Sequence, residues 1–158
     1  MKEKKLTFKS SSVSETLRFG ERLGSLLQPG YVVALIGELG AGKTTLVKGI
    51  VRGLGVEDKR SVKSPTFSLM HKYEGRIPIY HFDAYRLKGT LEMLDIGSDE
   101  IIYGNGVSII EWADKVPGCL PEKYLKTTLT VVSENERKIE LCSYGRCYDE
   151  LINNLIIS

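Results

Sequence analysis

The sequence predicts an α/β fold: a mixed sheet with a parallel centre, flanking helices and a C-terminal antiparallel hairpin. Three observations carry that expectation. Residues 31–36 (YVVALI) form a continuous apolar run without alternation, the pattern of a strand covered on both faces. A Gly-rich loop follows at once, and from Lys43 onward the apolar spacing turns helical. Two later runs, residues 77–82 (IPIYHF) and 107–110 (VSII), read as strands, and each is followed by an acid, Asp83 and Glu111. The 158 residues suit one domain spanning the whole chain. At that size roughly two-thirds of the unfolded surface is buried on folding, so no disulfide or structural metal is required.

Taken in order, residues 6–9 alternate as a short strand, and Ser12 or Ser14 offers an N-cap. A helix then runs to about Leu27, with Val13, Leu17, Leu23 and Leu27 expected on one face and the Pro29-Gly30 pair as its stop. After the 31–36 strand and its loop, Leu46, Val47, Ile50, Val51 and Leu54 form the apolar stripe of a second helix. Lys48 and Arg52 lie opposite, and Gly55 ends it. Between the two acid-ended strands Thr90 is a candidate cap for a short helix through Leu94. Residues 126–133 and 138–142 form a hairpin across a polar loop, and residues 148–157 form a terminal helix.

Charge and cysteine usage narrow the function classes. Lys and Arg number 22 against 20 Asp and Glu, a formal net charge of +2. That gives no concentrated basic face of the kind nucleic-acid binding demands, and Lys2, Lys4 and Lys5 read as a solvated terminus. Cys119, Cys142 and Cys147 are odd in number and lack a Cys-x-x-Cys pair, which fits small thiols in a reducing compartment. The basic start has no apolar segment behind it, and no run approaches the ~18 residues of a membrane span. The expectation is a cytoplasmic protein.

The strongest chemical signal is Gly37-Glu38-Leu39-Gly40-Ala41-Gly42-Lys43-Thr44, which fits G-x-x-x-x-G-K-[ST] between an apolar strand and an apolar-striped helix. Glycines let the backbone N–H groups cradle phosphate oxygens while the next helix aims its positive end at them. Lys43 would reach the β- and γ-phosphates and the Thr44 hydroxyl would bind Mg²⁺. The fold expectation is therefore P-loop NTPase-like. No Asp begins an Asp-x-x-Gly and no Asn-Lys-x-Asp occurs, which argues against a Ras-type GTPase.

Such a site needs carboxylates at neighbouring strand ends, and Asp83, in Walker B form, and Glu111 are the candidates. Thr66, in Ser64-Pro65-Thr66-Phe67, sits where P-loop proteins place a γ-phosphate-sensing loop, although a Pro-initiated turn is the plainer reading. Trp112 is the only tryptophan, a core filler or an anchor for base or partner. His81, two residues before Asp83, shares its face but has no third ligand beside it, and reads as a packed or hydrogen-bonded histidine.

Four blocks, GELGAGKTT (37–45), VKSPTFSL (62–69), YHFDAYRL (80–87) and IIEWADKVP (109–117), together with chain length, resemble the bacterial TsaE (YjeE) family, the small ATPase of tRNA threonylcarbamoyladenosine synthesis. The resemblance implies an ATP- and Mg²⁺-dependent protein working with TsaB and TsaD, of which TsaD transfers the threonylcarbamoyl group to adenosine in ANN-decoding tRNAs. It leaves direct tRNA contact open. By the same resemblance Lys43 matches the phosphate-binding lysine, Thr44 and Glu111 the Mg²⁺ ligands, Asp83 the acid important for hydrolysis, and Thr66 the switch-like loop. Gly40, Ala41, Gly42 and Thr45 belong to the phosphate loop, and Trp112 to the Trp beside the metal-binding acid. Looser matches place Ser11, Val13 and Arg137 at nucleotide contacts. Two other classes compete: a small-molecule kinase of shikimate-kinase type, weakened by the absence of Arg from residues 88–106, and a non-hydrolysing nucleotide sensor.

Overall fold

The computed structural model describes residues 3–57 and 69–157. Seven strands form one sheet: β1 (Lys5–Ser10), β2 (Val32–Ile36), β3 (Met70–Glu74), β4 (Pro78–Asp83), β5 (Val107–Glu111), β6 (Tyr124–Val131) and β7 (Arg137–Tyr144). Their order across the sheet is β1-β7-β6-β2-β5-β4-β3. Strands β6, β2, β5 and β4 run parallel, and β1, β7 and β3 are antiparallel to their neighbours. The parallel centre and the C-terminal hairpin are both present. The hairpin does not hang beside the sheet: β6 is spliced next to β2, and β1 closes the edge beyond β7.

Helices α1 (Val13–Leu26), α2 (Lys43–Gly53) and α5 (Arg146–Ile157) contribute to the core on one face of the sheet; α3 (Thr90–Asp95), α4 (Ser98–Ile102) and two 3₁₀ turns, Ala113–Lys115 and Pro117–Cys119, contribute to the other. Strand β2 is apolar on both sides for this reason. Its Val33 and Leu35 join the core around Leu46, Ile50 and Ile109, whereas Val32 and Ala34 join the core around Phe82, Met93 and Ile110. Among the described residues no helix is long and apolar enough to cross a membrane.

Two expectations need correction. Leu23 and Leu27 are buried as expected, but Val13 is 67% exposed and Leu17 half-buried, and the buried face of α1 also carries Thr16, Phe19, Gly20 and Gly24. The partner helix sets the rest: Gly20 lies against Gly49 of α2, Gly24 against the Ile50 backbone and Gly53 against the backbone of Glu21 and Ser25, so backbone packs on backbone. A Cβ on Gly24 would stand 2.2 Å from the Ile50 carbonyl oxygen, and one on Gly49 would stand 2.4 Å from that of Leu17. Thr90 opens α3 but does not cap it; Gly89 holds the cap position and the Thr90 hydroxyl accepts from the Gly118 N–H at 3.2 Å. The N-cap of α1 is Ser12, whose hydroxyl accepts from the Glu15 N–H at 3.1 Å. Strand β3 and helix α4 add elements that periodicity left out.

Candidate functional site

The loop from β2 into α2 begins the site. Gly40 and Gly42 have φ of +79° and +97°, conformations that a side chain rarely adopts, and Gly42 is the N-cap of α2. Among the described residues no side chain caps that helix end, and its first N–H groups and dipole face the cleft in front of it. Lys43 folds back over the loop and donates from Nζ to the carbonyls of Gly37 and Glu38, the latter at 3.0 Å. It is 5% exposed. Burial lowers its pKa from the ordinary lysine value, opposed by Glu111 and then Asp83 nearby.

The acids come from the C-terminal ends of two adjacent parallel strands. Asp83 of β4 and Glu111 of β5 are register partners, and the Ala84 N–H donates to the Glu111 carbonyl at 3.0 Å. Both side chains are buried. Asp83 Oδ1 accepts from the Tyr85 N–H at 2.9 Å, turning the chain sharply at the strand end. Glu111 Oε2 lies 2.5 Å from His81 Nε2, so the sequence's packed or hydrogen-bonded histidine is in contact with a site acid.

After β5 the chain enters the left-handed region at Trp112, φ 59°, which costs about 1 kcal/mol or more for a bulky residue. The turn sets the indole with its face 4.0 Å from Lys43 Nζ and 5.0 Å from the Tyr85 ring, centroid to centroid. An ammonium over an indole face is held by the ring quadrupole. Lys115 closes the outer side: its Nζ lies 5.1 Å from the Tyr85 ring centroid and donates to the Tyr85 carbonyl.

These groups border a cleft of about 530 Å³. The loop residues Gly40, Ala41, Gly42, Lys43, Thr44 and Thr45 line it, as do Asp83, Glu111 and Trp112. The start of α1 supplies Val13 to the wall, and the β6–β7 connection supplies Arg137. Arg137 spans two segments, donating from Nη1 to the Ser133 carbonyl at 2.8 Å and from Nη2 to the Gly40 carbonyl at 3.3 Å. Ser11 is exposed and does not line the cleft; its N–H donates to Glu15 Oε2 at 2.6 Å in the capping arrangement of α1. Thr66 lies outside the described residues.

Sequence reasoning missed Ser12, Thr16, Tyr85 and the Glu134–Asn135 pair, which also border the cleft. Tyr85 had a signal, two positions beyond Asp83 in a recognised block. Ser12 lies between the loosely matched Ser11 and Val13, and Glu134 and Asn135 just precede Arg137; Thr16 had no signal, because only the tertiary fold brings that turn of α1 to the end of β2.

The arrangement suits a phosphate-bearing ligand with a hard cation. The loop and the start of α2 offer N–H groups, Lys43 a cation, and Thr44, Asp83 and Glu111 oxygen donors. Among the described residues no three His, Cys, Asp or Glu side chains gather into a group that could hold a metal ion.

Comparison with known proteins identifies the lineage. Residues 10–139 match the family model described as TsaE, threonylcarbamoyl adenosine biosynthesis protein. The tRNA threonylcarbamoyladenosine biosynthesis protein TsaE of Treponema pallidum (strain Nichols) is 44% identical over 130 residues, covering 82% of this chain and 95% of that protein. Its counterpart from Bacillus subtilis (strain 168) is 37% identical over 153 residues, 96% of this chain and 94% of that one. The crystal structure of Bacillus subtilis YdiB superimposes with a TM-score of 0.85 at 33% identity, covering 98% of this chain and 96% of that one. With the family model spanning most of the chain and the same fold in a solved relative, the chain belongs to the TsaE family.

Proposed function

We propose that this protein binds and hydrolyses ATP with Mg²⁺ and, acting with TsaB and TsaD, supports threonylcarbamoyl transfer to adenosine in ANN-decoding tRNAs without performing the transfer itself. One observation carries the reading: Lys43, Thr44, Asp83 and Glu111, drawn from three separate chain segments, border a single cleft. The names of the relatives support the pathway, since each is a tRNA threonylcarbamoyladenosine biosynthesis protein.

When bound, Mg²⁺ and ATP supply a γ-phosphoryl group whose charge is partly neutralised and open to attack by water. The chain supplies positioning and electrostatics. Loop N–H groups and the start of α2 would hold the phosphates, with Lys43 free to exchange its carbonyl partners for phosphate oxygens. Thr44 and Glu111 would hold the cation. Asp83 would orient a water, the cation's or the attacking one, through a carboxylate whose position the Tyr85 N–H fixes.

The test is Mg²⁺-dependent ATP hydrolysis by the chain alone and with the TsaB–TsaD complex, for wild type and Glu111→Ala. Stimulation by the complex, lost in the variant, is expected. Vigorous turnover indifferent to the complex and raised by a metabolite would replace this reading with the small-molecule kinase.

A further inference from the structure

The deepest ionisable group beside the site is His81, which touches a site acid without lining the cleft. It precedes Asp83 by two residues on β4, so both side chains leave the same face of the sheet. Register pairs His81 with Ile109 and Asp83 with Glu111, which puts His81 on the diagonal to Glu111 across the β4–β5 pair. His81 is fully buried and Glu111 is 2% exposed. Nε2 and Oε2 are 2.5 Å apart. An ionised carboxylate only accepts, so Nε2 carries the shared hydrogen. Among the described residues Nδ1 has no hydrogen-bond partner, and the ring is backed by Tyr73, whose centroid lies 6.3 Å away.

A position that needed only volume would be filled more cheaply by an apolar residue, because a buried polar atom without a partner costs about 1–3 kcal/mol. What the imidazole does here is engage one oxygen of a strand-end acid. We propose that His81 is a positioning residue for the metal-binding carboxylate: by holding Oε2 it fixes the Glu111 rotamer and leaves Oε1 for the cation of a Mg²⁺–nucleotide. This rests on the metal role assigned to Glu111 above. Partners that hold a metal-ligating group in place commonly change metal affinity ten- to a hundredfold when removed.

The experiment measures binding without turnover. Mn²⁺, followed by electron paramagnetic resonance, is titrated into the full chain with ADP, and ADP affinity is measured separately by calorimetry in chelator. Wild type is compared with His81→Phe, which keeps a ring but no donor, and His81→Gln, whose amide N–H reaches as far as Nε2. Expected is a Mn²⁺ affinity about ten- to a hundredfold weaker in His81→Phe, metal-free ADP affinity unchanged, and recovery of most of the loss in His81→Gln. If the Phe variant does not fold, His81→Asn, which keeps an amide but ends short of Glu111, takes its place with the same expectation. Wild-type Mn²⁺ affinity in the folded Phe or Asn variant overturns the proposal, as does a Gln variant no better than Phe. A wild-type chain whose ADP complex takes up no Mn²⁺ is a different result, overturning the metal reading of Glu111 and this proposal with it.

Discussion

Lys43 Nζ stands 4.0 Å from the centre of the Trp112 ring while donating to two carbonyls of its own loop. The lysine expected to hold phosphate thus rests against the only tryptophan in the chain. Its ammonium is buried and its pKa lowered by that burial, so the ring face and the loop carbonyls stand in for the water it has lost.

Nucleotide binding should therefore be visible in Trp112. A phosphate that draws Lys43 away from the indole changes the electrostatic surroundings of a fluorophore that has no other tryptophan to mask it. Titration with ADP or a non-hydrolysable ATP analogue should alter emission intensity or maximum. Lys43→Ala should change the starting spectrum and weaken binding about tenfold or more, a charge-assisted hydrogen bond contributing roughly 1.5–3 kcal/mol. Binding seen by calorimetry with an unchanged spectrum would sink this coupling.

Asp83→Asn should separate affinity from turnover. The asparagine oxygen can still accept the Tyr85 N–H, so the turn after β4 persists, but the negative charge proposed to orient water is gone. ATP affinity should stay near wild type while hydrolysis falls about a hundredfold or more. Single-turnover assays checked against binding isotherms read the two effects separately; full hydrolysis by this variant would remove Asp83 from the mechanism.

How much of this was legible beforehand follows from where each signal resides. Strand β2, the phosphate loop and α2 are written in contiguous residues, and a period of apolar positions together with a glycine pattern finds them. The acids Asp83 and Glu111 are legible because each follows an apolar run. Helix α1 was legible as a helix and in its buried Leu23 and Leu27, but not in Gly20 and Gly24, which carry no hydrophobic signal although their lack of side chains lets the helix approach α2. Strand β3 buries only Tyr73 among mostly polar neighbours, the habit of an edge strand, and leaves periodicity little to detect. Contacts that join distant segments, His81 with Glu111, Arg137 with Gly40, Ser12 with the cleft, exist only in the register and layering of the folded chain.

The crossing of α1 and α2 should be intolerant of a single methyl. Gly24→Ala and Gly49→Ala would each drive Cβ into a backbone carbonyl, at 2.2 Å from Ile50 O and 2.4 Å from Leu17 O, and neither carbonyl can rotate away as a side chain could. A loss of about 1–3 kcal/mol is expected from urea unfolding, the usual cost of overpacking. Because the first turn of α1 lines the cleft, Gly49→Ala should also weaken nucleotide binding although it touches no ligand. Wild-type stability in both variants would show that the helices separate freely.

Stability should fall in alkali for a reason located at Tyr148. Its hydroxyl accepts from the Val32 N–H at 2.8 Å inside the core, and burial raises its pKa despite that bond. Burial likewise raises Tyr31 and Tyr124, and pushes Tyr144 up to about 12. Above the ordinary value of 10.0 the unfolded chain releases phenolic protons that the folded chain keeps. The unfolded state then binds fewer protons, so unfolding becomes easier as pH rises. This stabilisation is complete below about pH 10 and is lost on the way up through the raised folded values. Burial also raises the Cys119 thiol, which starts the decline slightly earlier. Lys43, lowered by burial, acts in the opposite sense, its penalty relieved as pH climbs through its folded value. Tyr148→Phe isolates the largest contributor. Near pH 8 it should be less stable than wild type by about 1 kcal/mol, because the Val32 N–H loses its acceptor. That deficit should shrink as pH rises towards about 11.5, since only the wild-type side chain at this position titrates. Urea unfolding of both proteins across that range measures the gap directly, and a gap independent of pH would mean that Tyr148 titrates in the folded chain as it does in the unfolded one, with no upward shift on folding.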